Sequence, residues 1–311
     1  MNNGRLVVLV TGANGFVGRN VVPVLEANGL TVRQATRHRS LEPNKVVIDT
    51  IGQHTNWDEA LRGVDAVVHL AARAHHPREE HAGDLYRTIN TDGTLHLARC
   101  AAKAGVRQFI YLSTILVNGA STDGRSPFRE EDSVKPRGVY GLSKAAAEAG
   151  LEDLAHVTDM SITVIRPPLI HGPGALGNFG LLVKAAKHGV PLPFGSIRNR
   201  RAFLGVENLA SFFVHRLTRP SGKFDLFLVA DDEQISTPEF AQRIATAMGR
   251  KLRIVPFPLF ALKALFRMIG RPEAFESLAG SQEIDTSKAL KTGWRPRVSL
   301  DEGLRSALQA T

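Results

Sequence analysis

The chain is 311 residues long, 43% hydrophobic and 22% charged, with a net charge of +9. That apolar share can bury a large core and excludes extended disorder. The one cysteine, Cys100, excludes an internal disulfide and fits a reducing, cytoplasmic setting, and no run of roughly 18 apolar residues is there to span a membrane.

Taken from the N-terminus, residues 6–10 predict a first strand that runs into a glycine turn rather than a secretory leader. A helix pattern follows over 16–25, then strands over 31–35, 46–48 and 66–70. A long helix is expected over 85–104, with Cys100 a small core residue on it. A fifth strand follows over 109–112, a second long helix over 140–155 and a sixth strand over 161–165. Strands without polar alternation, separated by helices, predict a parallel sheet covered on both faces. After Arg166-Pro167-Pro168 the texture changes. Prolines and glycines cluster in His171-Gly172-Pro173-Gly174 and Pro191-Leu192-Pro193-Phe194-Gly195, and shorter helices are expected near 208–218, 238–248 and 300–309. The expected division is a first domain over 1–166, with later returns to its sheet at about 203–230, and a smaller lobe over 167–311.

Thr11-Gly12-Ala13-Asn14-Gly15-Phe16-Val17-Gly18 sits between the first strand and the first helix. In such a turn the first glycine permits the sharp bend, the second lets backbone approach a pyrophosphate, and the third allows close helix–strand packing. The helix N-terminus offers free N–H groups to the phosphates. This predicts a Rossmann-type dinucleotide site. A carboxylate at the end of the second strand would bind a free ribose 2′-hydroxyl. The sequence has Ala35-Thr36-Arg37-His38-Arg39 there, which favours a 2′-phosphate and hence NADP over NAD. The plain alternative is that Arg37 and Arg39 only face solvent. Asp49, after the third strand, could accept a hydrogen bond from the adenine amino group.

Tyr140-Gly141-Leu142-Ser143-Lys144 puts a phenol and an ammonium on one helix face. A nearby cation is expected to lower the phenol pKa, and such a tyrosine can exchange a proton with a carbinol or carbonyl. A partly buried tyrosine beside a solvated lysine is the bland alternative.

Together these segments resemble the extended short-chain dehydrogenases/reductases, specifically nucleotide-sugar epimerases, dehydratases and reductases. The likeness covers nearly the whole chain. It rests on the glycine loop, His69-Leu70-Ala71-Ala72, Asn90-Thr91-Asp92-Gly93-Thr94 and Tyr140 with Lys144. It also rests on Arg166-Pro167-Pro168, Gly172-Pro173-Gly174, the 201–208 segment, Asp285-Thr286-Ser287-Lys288 and Gly293-Trp294-Arg295-Pro296. The resemblance implies Tyr140 as acid/base, with Lys144 holding the nicotinamide ribose. It implies Thr114, rather than its neighbour Ser113, as the hydroxyl on the reacting sugar oxygen. Leu70, Ala71, Ala72, Asn90 and Pro167 would line the cofactor site. Asn178, Pro193 and Phe194 would touch the nucleotide of a UDP-sugar, and Arg201 would pair with its phosphate. A solvated basic turn is the alternative for Arg200 and Arg201.

The family's dehydratases carry an Asp-Glu pair after this threonine; here Thr114 is followed by Ile115-Leu116, which cannot move protons. With Asn118 and His171 where many epimerases have tyrosine, the details look most like UDP-4-keto-6-deoxy-N-acetylhexosamine reductases of surface-polysaccharide synthesis. A UDP-hexose 4-epimerase with retained NAD is the alternative, and a non-catalytic dinucleotide-binding regulator or scaffold a second one. The scattered positive charge suits an anionic small substrate, and no nucleic-acid partner is expected. His75, His76 and His81 with Glu79 and Glu80 match no zinc spacing, so no metal is expected. The apolar, slightly basic residues 256–269 predict a helix that packs over the substrate lobe or, at most, makes peripheral membrane contact. The helices over 85–104 and 140–155 have alanine-rich faces that could pair in a homodimer or pack on the sheet.

Overall fold

The computed structural model describes residues 5–37, 42–74, 83–220 and 222–309. In chain order the elements are β1 (Val7–Thr11), α1 (Phe16–Ala27), β2 (Thr31–Thr36), β3 (Lys45–Val47), α2 (Asp58–Leu61), β4 (Ala66–His69), α3 (Gly83–Tyr86), α4 (Gly93–Lys103), β5 (Gln108–Leu112), α5 (Gly138–Val157) and β6 (Ser161–Arg166). Then come β7 (Leu169–His171), α6 (Gly177–His188), β8 (Arg201–Gly205), α7 (Val206–Thr218), β9 (Phe224–Leu228), β10 (Gln234–Ile235), α8 (Thr237–Ala247), α9 (Leu259–Met268), α10 (Pro272–Ala279), α11 (Ser287–Lys291) and α12 (Leu300–Gln309). The chain divides into two compact units. The first comprises residues 1–117, 134–167 and 209–227; the second comprises 118–133, 168–208 and 228–311.

In the first unit, seven strands lie in the order β3-β2-β1-β4-β5-β6-β9 among the described residues. The pairings from β3 through β6 are all parallel. The chain leaves β1 in both directions, with β2 on one side and β4 on the other. Ligands of such sheets bind at that reversal, beyond the carboxyl ends of the strands. All five residues of β1 are buried, as are all four of β4, which is why neither shows polar alternation. Leu9, Val67 and Phe109 from the strands pack with Leu97 of α4 and Ala147, Leu151 and Ala155 of α5. Ala147 and Ala155 of α5 thus pack on the sheet, while Ala146 and Ala149 are exposed. Gly150 lets α4 approach, since a Cβ there would sit 2.7 Å from Leu95 Cδ1.

The helix expected over 85–104 differs from a single α-helix. Residues Arg87–Asp92 between α3 and α4 form a π-helical segment. This widening turns both Asn90 and Thr91 inward, as described below.

In the second unit, β8 runs parallel to β7 and antiparallel to β10. Phe203 on β8 stacks on Phe240 of α8 at 3.8 Å, within a cluster that includes Phe179, Ile244, Leu300 and Leu304. Two boundaries differ from the sequence expectation. Residues 118–133 join this unit because Phe128 N donates to Glu283 O (2.9 Å) and Asp285 N donates to Phe128 O (2.9 Å), a strand-like tie across distant sequence. Residues 203–205 stay in the three-stranded sheet, so the return to the large sheet begins with Leu209 and reaches it at β9.

Candidate active site

The turn after β1 has the properties a pyrophosphate cradle needs. Gly12 has φ +73°, and a Cβ there would lie 2.7 Å from Ala71 N. A Cβ on Gly18 would collide with Gly12 O, so the third glycine is required by packing. Gly15 N donates to Gly12 O at 3.0 Å. Asn14 and Gly15 are exposed, Phe16 and Val17 half-buried. The first turn of α1 carries no acidic side chain, and Gly15 at its N-cap supplies no side-chain acceptor. Its amides therefore suit the diphosphate of a dinucleotide.

Leu70, Ala71 and Ala72 cross beside this turn. Leu70 N donates to Thr11 O (3.2 Å) and Ala71 N to Thr11 Oγ1 (3.3 Å). Beneath them His69 bonds Thr11 Oγ1 through Nδ1 (2.6 Å) and Thr94 Oγ1 through Nε2 (2.9 Å). Burial, aided by the Lys144 charge, lowers its pKa to about 3, so it is a neutral strut. At the end of β2, Thr36 Oγ1 accepts from Asn14 Nδ2 at 3.3 Å. Arg37 is exposed next to it, and Asp49 is exposed just past β3. His38 and Arg39 lie outside the described residues, as do His75, His76, Glu79, Glu80 and His81.

The proton-transfer candidates gather at the ends of β5 and β6 and on α5. Lys144 is buried, and its Nζ donates to Leu112 O at 2.8 Å. It stands 4.4 Å from the Tyr111 ring centroid and 5.9 Å from that of Tyr140. Desolvation pulls the ammonium down to about 7, against a smaller upward pull from Glu148. Tyr140 is half-buried, with Tyr86 edge-on at 6.5 Å. Its phenol pKa is raised, chiefly by burial and secondarily by Tyr86. This corrects the expectation that the lysine would lower it: burial sets the direction, with the Lys144 ammonium 5.9 Å from the ring centroid.

Ser113 and Thr114 separate cleanly. Ser113 Oγ donates to Glu148 Oε1. Glu148 also receives Arg166 Nε at 3.1 and 3.0 Å on its two oxygens. That hydroxyl is locked into a buried ion pair. Thr114 Oγ1 accepts from Leu116 N at 3.3 Å, which leaves its own O–H to donate elsewhere. Ile115 beside it is buried, with its N donating to Pro167 O at 2.9 Å.

Asn90 is fully buried and acts as a tie. Its Oδ1 accepts from Arg73 N (2.8 Å), and its Nδ2 donates to Arg73 O and Ser143 Oγ, both at 3.0 Å. Ser143 Oγ donates to Tyr140 O at 2.8 Å. The loop that flanks the glycine turn is therefore bonded to the turn of α5 that bears Tyr140. Sequence reasoning missed Tyr86, His69 and the Glu148–Arg166 pair as site-builders. Glu148, four residues beyond Lys144 and so on the same helix face, was the available signal.

In the second unit the candidates behave differently. Asn178 is exposed near the start of α6, and Pro193 is half-buried. The Phe194 ring is buried with Leu192, Ile197, Ala241 and Leu262, so it builds core. Arg201, expected to meet a phosphate, is 7% exposed and donates to Gly280 O (2.7 Å) and Gln282 Oε1 (3.1 Å). Burial lowers its pKa to about 10, with Asp123 opposing. The exposed neighbours are Arg200, paired to Glu283 at 2.8 Å, and Arg198. These two line a cavity of about 270 Å³ with Gln234, Ser236 and Glu239. His171 and Asn118 are fully buried: His171 Nε2 lies 3.2 Å from Asp231 Oδ2, and Asn118 Nδ2 donates to Arg129 O. No described helix is long and apolar enough to cross a membrane.

Residues 8–229 match the model of the NAD dependent epimerase/dehydratase family. The chain is 36% identical over 310 residues to a UDP-glucose 4-epimerase of Vibrio cholerae, covering 97% of this chain and 94% of that one. Its fold is like that of RMD from Pseudomonas aeruginosa complexed with NADPH (TM-score 0.74, 24% identity, 98% of each chain). It is also like that of MoeE5 in complex with UDP-glucose and NAD (TM-score 0.78, 22% identity, 97% of each chain). The chain thus belongs to the NAD-dependent epimerase/dehydratase family of extended short-chain dehydrogenases/reductases, enzymes that work with a nicotinamide dinucleotide.

Proposed function

We propose that this enzyme reduces the C4 keto group of a UDP-4-keto-6-deoxy-hexosamine at the expense of NADPH. The observation that carries this reading is the end of β2. It closes on Thr36 and exposed Arg37 with no carboxylate, an environment for a 2′-phosphate. A reductase must exchange its cofactor every turnover, whereas an epimerase keeps it.

When bound, the reduced nicotinamide supplies the hydride. Tyr140, held protonated by burial, donates its phenolic proton to the C4 oxygen, so that carbonyl carbon and oxygen gain one hydrogen each. Thr114 donates its free O–H to the same oxygen and orients it. Lys144 would hold the nicotinamide ribose. Ile115 and Leu116 offer no group to carry a proton for dehydration. Asn178, Pro193 and the exposed Arg198 and Arg200 would take the UDP portion. Exposed Arg200 is better placed than Arg201 to meet a phosphate.

A second reading, a UDP-hexose 4-epimerase with retained NAD, is favoured by the Vibrio relative. One assay separates them. Purified protein is given NADPH and a UDP-4-keto-6-deoxy-N-acetylhexosamine, and the reduced-nicotinamide absorbance is followed. Consumption of one NADPH per sugar is expected. No consumption, with interconversion of UDP-glucose and UDP-galactose or of their N-acetylamino counterparts without added cofactor, selects the epimerase.

A further inference from the structure

Thirteen large hydrophobic side chains are exposed among the described residues, and five of them fall between positions 259 and 269: Leu259, Phe260, Leu265, Met268 and Ile269. They are carried by α9 and its C-terminal end. Leu262 and Phe266 point into the core beside Phe194 and Phe275. Phe260, Ala264 and Met268, spaced four residues apart, form the opposite stripe, with Phe260 79% and Met268 78% exposed. A helix lying on a soluble core should present polar residues there. The next helix, α10, does so: Phe275 and Leu278 pack inward and Glu273, Glu276 and Ser277 are exposed.

Charge separates the same segment from the rest of the chain. Residues 250–271 contain Arg250, Lys251, Arg253, Lys263, Arg267 and Arg271 and not one Asp or Glu. All six basic residues are exposed. Lys263 and Arg267 border the apolar stripe on the helix itself. Two-thirds of the chain's net charge of +9 is thereby concentrated in 22 residues. Apolar residues at the apex of a helix with cations beside them match the two layers of an anionic bilayer surface, acyl carbons below and phosphates at the rim.

We infer that the outer face of α9 docks this enzyme on an anionic phospholipid surface, with Phe260 and Met268 inserted and Lys263, Arg267 and Arg271 on the headgroups. The inference does not depend on which sugar reaction the active site performs. The full chain would be co-sedimented with vesicles of phosphatidylcholine alone and of phosphatidylcholine with about one-third phosphatidylglycerol. Binding at least about tenfold stronger to the anionic vesicles, weakening as salt is raised, is expected. F260S/M268S and K263E/R267E, surface changes that should leave the far-ultraviolet circular dichroism and solution turnover intact, should each cut that binding about tenfold or more. A wild-type chain that stays in the supernatant with anionic vesicles at low salt overturns the inference. So does F260S/M268S binding as well as wild type. Sedimentation velocity supplies the remaining arm: a dimer that F260S/M268S converts to monomer, with no vesicle binding, assigns the face to a second copy and also overturns it.

Discussion

Lys144 in the first unit and Arg201 in the second are both buried cations whose charge is penalised by desolvation, yet they end in different states. Lys144 is drawn to about 7 and can exchange its proton near neutrality; Arg201 falls only to about 10 and stays charged. The lysine stands beside a half-exposed phenol, while the arginine fastens β8 to the backbone at Gly280 and to Gln282. A buried cation in this fold is thus drawn toward neutrality in one place and kept charged as a brace in the other. Motif position alone does not distinguish them.

The largest test of the chemical side is Tyr140→Phe. Turnover should fall by about 10² to 10⁴-fold, the usual worth of a positioned proton donor, while NADPH binding followed by fluorescence stays within about twofold. Retained turnover would remove the phenol from the chemistry. Next is the ion pair beneath it. Glu148→Ala leaves Arg166 buried without its carboxylate and should cost about 3–5 kcal/mol in denaturant unfolding. Replacing both residues by methionine should recover part of that loss.

The lysine has a pH signature. In the unfolded chain it binds its proton up to its ordinary 10.5, in the folded chain only up to about 7. Between those values the unfolded state carries the extra proton, so stability should rise with pH across that window, by up to about 1.4 kcal/mol per unit. Lys144→Met should flatten that slope; an unchanged slope assigns it to other groups. The smallest effect sharpens the arginine contrast. Arg201→Ala should lower stability by about 1–3 kcal/mol, because it strips hydrogen bonds from buried acceptors. Arg200→Ala should cost less than about 1 kcal/mol and instead raise KM for the nucleotide sugar. The reverse pattern would exchange the roles of the two.

The first unit was largely legible in the sequence because its signals are local. Gly12, Gly15 and Gly18 each answer a separate steric demand, and β1, β4 and β5 read as unbroken apolar runs because both their faces are covered. Tyr140 and Lys144 share one turn-spacing of a single helix. What escaped was set by distant partners. Ser113 and Thr114 are chemically alike: the family resemblance named Thr114, but the physical difference between them comes from Glu148, arriving from α5. Phe194 and Arg201 sit in segments rich in turn and basic residues, and they are buried because α8, α9 and residues 278–282 close over them. The same holds for 118–133, whose place is set by pairing with 281–285.

The π-helical segment at Arg87–Asp92 has a mechanical consequence. A regular α-helix rotates by about 100° per residue, so neighbouring side chains diverge. The wider turn brings two consecutive ones to bear on a single target: Asn90 Nδ2 reaches Ser143 Oγ, and Thr91 Oγ1 donates to Ser143 O at 2.8 Å. A two-point grip resists twisting where one contact would act as a pivot. The helix that carries the phenol is therefore fixed in azimuth as well as in height, and trimming one residue from that turn would restore ordinary winding and release it.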